Sequence, residues 1–166
     1  STQERAEKLS EAKGEKESGL SAEEIQQTYS ILGETFQLLK GTWDELKSAS
    51  NEHLQNLRSI PRGSEEDISY FLKQYNIKDK WIKTFELIEK MVPGATEVEF
   101  RQTGSFKRHA YIIHRDVIES ALGPMPPEVE DAFWMAERDG KTGGVAFWQP
   151  SEAEFQEDLA KLRAEY

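Results

Sequence analysis

The sequence has no cysteine. Disulfides and thiolate-held metal centres are therefore excluded, and nothing argues for an oxidising compartment. A reducing intracellular compartment, cytoplasm or organelle matrix, is the expectation. The chain also lacks any apolar run near the roughly 20 residues that cross a bilayer. Positive charge is in deficit: 21 Lys and Arg stand against 31 Asp and Glu, a net charge of −10. That balance argues against general binding to nucleic-acid phosphate and against docking on anionic lipid. No serine sits in a nucleophile elbow, and no phosphate-loop pattern surrounds Gly140, Gly143 and Gly144. There is no internal repeat and no motif specific enough to name a family. An initial Met is missing too, as expected of a fragment, a tag remnant or a mature form. No signal or transit peptide is visible.

What the chain does have is aromatic mass. Four Trp, five Tyr and eight Phe in 166 residues are enough to bury a core in one domain, or in one small domain with an appended arm. Three segments follow from composition. Residues 1–20 are a charged tail of alternating Glu and Lys or Arg with almost nothing apolar, too polar to offset their chain entropy alone. Residues 21–94 carry helical periodicity and form a helical arm or bundle. Residues 95–166 mix strand and helix patterns and form a small α+β domain.

The most regular stretch is 21–60. Ile25, Tyr29, Leu32, Phe36, Leu39, Trp43 and Leu46 recur in steps of four and three, the heptad spacing of a coiled-coil stripe. The stripe meets Ser50 and His53 and resumes at Leu57 and Ile60. Ser21 with Glu24 marks the start as a capping box. Forty residues would span roughly 60 Å, so such a helix lies along the domain and overhangs it, or meets another chain. A rival reading splits it near Gly41, with Thr42 and Glu45 as a second capping box. His53 on the stripe is a register-setting polar residue, or a pH-sensitive one.

After Pro61-Arg62-Gly63, Ser64 caps a short helix bearing Ile68, Phe71, Leu72 and Tyr75, with Asn76 as its end. A further helix over 78–91 bears Trp81, Ile82, Phe85 and Ile88, and Pro93-Gly94 stops it. The two pack back on the long helix as a helical hairpin. From Ala95 the period changes to two. Residues 97–101 and 106–113 read as a β-hairpin about 102–105. Short helices follow over 116–122 and 128–139, then a turn at 141–144, a third strand at 145–148 and a last helix opened by Ser151 and Glu154. The fold class is α+β: a long amphipathic N-terminal helix with a helical hairpin, then a small antiparallel sheet packed with helices. Phe100, Ile112, Phe133, Phe147, Phe155 and Leu159 are expected to be buried together.

Chemistry is concentrated in residues 101–115, which hold Arg101, Lys107, Arg108, His109, Tyr111, His114 and Arg115 and no acid. Two histidines beside cations could serve as acid and base in metal-independent phosphodiester cleavage, with Arg108 or Lys107 meeting the developing charge. His109, His114 and Arg108 are thus the candidate catalytic residues. Five positions apart, however, the two imidazoles of an unbroken strand point to opposite faces. His109, His114 and Asp116 could be assembled into three metal ligands, but their spacing matches no helix-face site, so no metal or cofactor is expected. The bland alternative is a solvated strand whose charges pair with the acidic helices after it.

Three functions remain. The first is a non-catalytic subunit or adaptor of a multi-subunit complex. It would dock on another protein chain through its N-terminal helix and tail, using Ile25, Tyr29, Leu32, Phe36, Leu39, Trp43 and Trp134. That reading expects the stripe from Ile25 to Leu39 to be only partly covered by this chain. The second is an acidic inhibitor that masks a basic site with 128–139. The third is a small nuclease using 101–115.

Overall fold

The computed structural model describes residues 19–138 and 141–165. The charged tail therefore lies outside the described residues except at its end. The first helix, α1 (Ala22–Asn56), runs unbroken for 35 residues. Its capping box forms in both directions: Ser21 N donates to Glu24 Oε1 at 3.3 Å, and Glu24 N donates to Ser21 Oγ at 3.2 Å. Gly41 does not split it, because the apolar spacing keeps phase across that position and outweighs a glycine cost of about 1 kcal/mol. The helix ends at Asn56, short of the expected Ile60, and Leu57 is exposed. A second unbroken helix, α2 (Glu65–Met91), replaces the two short ones expected. Asn76 does not end it. No Gly or Pro interrupts the stretch, and Ile77, Trp81, Phe85, Ile88 and Val92 keep a helical phase, all buried.

Strands β1 (Thr96–Thr103) and β2 (Phe106–Ile113) pair antiparallel, and β5 (Val145–Phe147) pairs with the other side of β2, giving the order β1-β2-β5. Between them lie α3 (Arg115–Leu122), α4 (Pro127–Ala132) and a two-stranded pair, β3 (Glu137–Arg138) with β4 (Lys141–Thr142). The helix expected over 128–139 thus stops at Ala132. Phe133 turns extended there, and its ring meets Phe36 edge-on at 5.0 Å. Lys141-Thr142, expected as a turn, is a strand. The closing residues Asp139 and Gly140 lie outside the described residues. The last helix is α5 (Glu152–Glu165), opened by Ser151 and Glu154 as expected. The fold is α+β.

The chain forms two compact units, divided inside both long helices: Ser1–Leu39 with Thr84–Phe147, and Lys40–Lys83 with Trp148–Tyr166. In the first, Ile25, Tyr29, Leu32, Phe36 and Leu39 of α1 are each at most 7% exposed, and Phe85, Tyr111, Ile113, Ile118 and Phe147 are buried with them. Tyr29 donates to the Gly123 carbonyl at 2.5 Å. Its phenol is pushed upward, first by burial and then by Glu119. In the second unit, Phe155 of α5 lies against Tyr75 at 3.7 Å and Phe71 at 5.4 Å between ring centroids. Lys78 Nζ donates to the Trp148 carbonyl at 3.0 Å, and burial holds its ammonium below the ordinary value. The residues expected to be buried together, from Phe100 to Leu159, are not all buried: Ile112 and Phe133 are half-buried. Phe147 belongs to one unit and Phe155 and Leu159 to the other, while Phe100 is exposed.

One carboxylate ties the end of α2 to the start of the sheet. Glu89 accepts from Gly94 N at 2.6 Å, from Thr96 N at 3.2 Å and from Thr96 Oγ1 at 2.8 Å. Burial raises its pKa, but these donors outweigh it and hold the carboxyl below its ordinary value. Because the side chain is half-buried and keeps contact with water, Glu89→Gln is expected to cost only about 1 kcal/mol. The folded-state pKa is the lower one, so this stabilisation is present above the ordinary carboxylate range and is lost as pH falls through the depressed value. Urea midpoints measured across acid pH should converge for the two proteins at the acid end.

Candidate protein-interaction surface

The β1–β2 hairpin gathers three of the exposed large hydrophobics, Val98, Phe100 and Phe106; Ile31, Leu38, Leu54, Leu57 and Leu87 are exposed on the helices and the loop after α1. The hairpin turn needs only Gly104 and Ser105, and Gly104 takes φ +61°, a left-handed conformation that glycine adopts without strain. Register then assigns every side chain to a face, since directly opposed residues share one. Val98 opposes Tyr111, Phe100 opposes His109, and Tyr111 and His109 oppose Val145 and Phe147 of β5. This face is buried along β2 and β5: Tyr111, Ile113, Val145 and Phe147 are all within the core. Burial pushes the Tyr111 phenol up to about 12. The cover runs out at β1, where Val98 and Phe100 on the same face are 50% and 55% exposed. On the opposite face of the hairpin tip Phe106 is 56% exposed, with the Arg108 guanidinium 4.5 Å over its ring.

The edge of β1 has a defined chemistry. His114 N donates to Ala95 O at 2.7 Å, one step before the Thr96–Ile113 pair. Backbone groups alternate along an antiparallel ladder, so Glu97, Glu99 and Arg101 turn theirs toward β2. Thr96, Val98, Phe100 and Gln102 turn theirs to the open edge. The bond from Thr96 N to Glu89 fits this assignment independently. Among the described residues no strand pairs with that edge.

The basic stretch is dispersed by the same register. His109 lies on the core face, with Phe100 at 5.2 Å and Tyr111 at 6.5 Å. His114 pairs at 2.8 Å with Glu97, whose strand partner Ile112 belongs to the other face. The two imidazoles thus lie on different faces, as alternation requires. Arg108 shares the His114 face but is six residues away, about 20 Å along the strand. Arg115 is drawn to the acidic helices: it donates to Glu119 at 2.6 Å and Glu130 at 2.8 Å, and these carboxylates push its pKa upward, Glu130 first. Arg101 pairs with Glu99 of its own strand at 2.7 Å. The candidate catalytic residues are therefore not gathered around one point. Asp116 is exposed in the first turn of α3. Among the described residues no three His, Asp or Glu side chains come together as a metal cage, and no helix is long and apolar enough to cross a membrane.

The helix stripe is placed otherwise than expected. Ile25, Tyr29, Leu32, Phe36 and Leu39 are covered by this chain's own residues, and Trp43 and Trp134 are half-buried. The heptad spacing serves an internal core, so the partly open stripe is corrected to a closed one. What α1 leaves outside is Ile31 and Leu38, seven residues apart and each about half exposed, and Leu54 near its end, 64% exposed. The residues that sequence reasoning missed are Val98, Phe100 and Phe106. Their hydrophobicity was visible, but the edge position that leaves them uncovered was not. Comparison with protein-family models, with curated proteins and with solved structures finds no match.

Proposed function

We propose that this chain is a non-catalytic subunit or adaptor, and that it binds another protein through the β1–β2 hairpin rather than through the buried stripe of α1. The observation that carries this reading is the placement of Val98, Phe100 and Phe106, each at least half exposed within one hairpin, beside a strand edge with which no strand pairs among the described residues. Exposed aromatics with arginine are the composition of interface hot spots, and an open edge supplies main-chain hydrogen bonds to an incoming strand. The dispersal of His109, His114 and Arg108 favours this over the nuclease reading. The engagement of Glu119 and Glu130 by Arg115 weighs against a free acidic mask.

The test is affinity capture with the full chain. Phe100→Ser with Phe106→Ser removes two exposed rings without opening the core, so the fold is kept and unfolding midpoints should hardly move. Partner recovery is expected to fall about tenfold or more, the loss of two interface aromatics. Equal recovery with the wild-type and double-substituted chains would refute docking through the hairpin.

A further inference from the structure

We infer that the open edge of β1 pairs with the same edge of a second copy of this chain, antiparallel and centred on Phe100. The inference rests on the reading of the hairpin as a contact surface and names its occupant. The argument is the charge pattern of the strand, Thr96-Glu97-Val98-Glu99-Phe100-Arg101-Gln102-Thr103. Turned end for end about Phe100, it meets its own complement. Phe100 faces Phe100, Glu99 of each copy faces Arg101 of the other, and Val98 faces Gln102.

The two-fold registers centred on Val98, Glu99 or Arg101 are worse. Centring on Glu99 or on Arg101 sets like charges face to face. Centring on Val98 opposes Glu97 to Glu99. Like charges directly opposed destabilise a strand pair, and unlike ones stabilise it. The backbone agrees with the Phe100 register. Val98, Phe100 and Gln102 are the residues whose N–H and C=O groups point to the open edge, so the Phe100–Phe100 and Val98–Gln102 positions become the hydrogen-bonded pairs. Glu99 and Arg101 then fall at the closer, non-hydrogen-bonded positions, where side chains interact most strongly. In the Arg101–Glu99 ion pair within the chain the arginine side chain is 73% exposed and the glutamate 27%. Exchanging it for two pairs across the dyad therefore gives up little. On the core face Phe100 and Val98 gain the cover that β1 lacks among the described residues. The product is one continuous sheet ordered β5-β2-β1-β1-β2-β5, with neither β1 left as an edge. Charges on an edge strand commonly prevent such pairing. Here their order makes them complementary in one register.

Sedimentation equilibrium of the full chain over a concentration series, at physiological salt to screen the like net charges, tests this directly. The wild type is expected to pass from monomer to dimer. Glu99→Arg alone and Arg101→Glu alone each turn two attractive contacts into two repulsive ones, and each should raise the dimer dissociation constant about tenfold or more. Mixing the two single variants restores opposite charges at both positions, so the mixture should dimerise as the wild type does. Circular dichroism confirms that these exposed substitutions leave the fold intact. A wild type that stays monomeric throughout overturns the inference, as does a mixture no tighter than its components. If the wild type is monomeric while capture of a different protein is still lost on Phe100→Ser with Phe106→Ser, the self-pairing fails and the hairpin reading stands.

Discussion

Trp81→Ala is expected to lower the free energy of unfolding by about 3–5 kcal/mol, the range for truncating a fully buried aromatic. Trp81 has no exposed surface and is the largest wholly enclosed side chain described. It sits on the unbroken run of α2, in the unit that also encloses Leu46, Ala49, Ile77, Phe155 and Leu159. Removing an indole from rigid surroundings loses its transfer energy and leaves a void that neighbours refill only in part. Against a typical domain stability of about 5–15 kcal/mol, that loss is large. Urea unfolding followed by circular dichroism, which does not depend on the deleted fluorophore, measures it. A loss below about 1 kcal/mol would mean that the indole is not enclosed.

Gly144→Ala is expected to cost roughly 3 kcal/mol, the upper end for an overpacked site. A Cβ at Gly144 would stand 1.8 Å from the Tyr111 carbonyl oxygen, 2.6 Å from its carbon and 3.2 Å from Ile112 Cα. All three are β2 backbone, so no side chain can rotate away, and the strands must part. The Tyr111–Val145 pair would loosen first, and with it the Tyr111–Phe147 ring contact at 5.2 Å. Hydrogen exchange at 145–147 should accelerate while exchange in α5 stays unchanged, because α5 belongs to the other unit. Wild-type stability and unchanged exchange at 145–147 would show that β5 does not approach β2 so closely.

Local signals were the legible ones. Ser21 with Glu24, and Ser151 with Glu154, could be recognised because a capping box involves residues three apart, and both form. The Gly104 turn and the alternation around it gave the hairpin for the same reason. Phase predicted the continuity of α1 across Gly41, and the same test applied to α2 would have carried that helix past Asn76. What failed depended on distant residues. The helix over 128–139 stops at Ala132 because Phe133 turns to meet Phe36, nearly a hundred positions earlier. Phe100 alternates as a core residue should, yet nothing in its own strand records that β1 is an edge. The stripe of α1 has the spacing of a coiled coil, and spacing does not say whether its partner is another chain or its own. The candidate surface became legible only once the strand order was known.

The most direct measurement of the central claim is a hydrogen-exchange footprint of the full chain with and without its captured partner. Docking through the hairpin predicts added protection at Val98, Phe100 and Gln102, whose amides point to the open edge, with little change around Ile31 and Leu38 on the outer side of α1. Protection around Ile31 and Leu38 with the hairpin amides unchanged would contradict it and return the contact to the N-terminal helix.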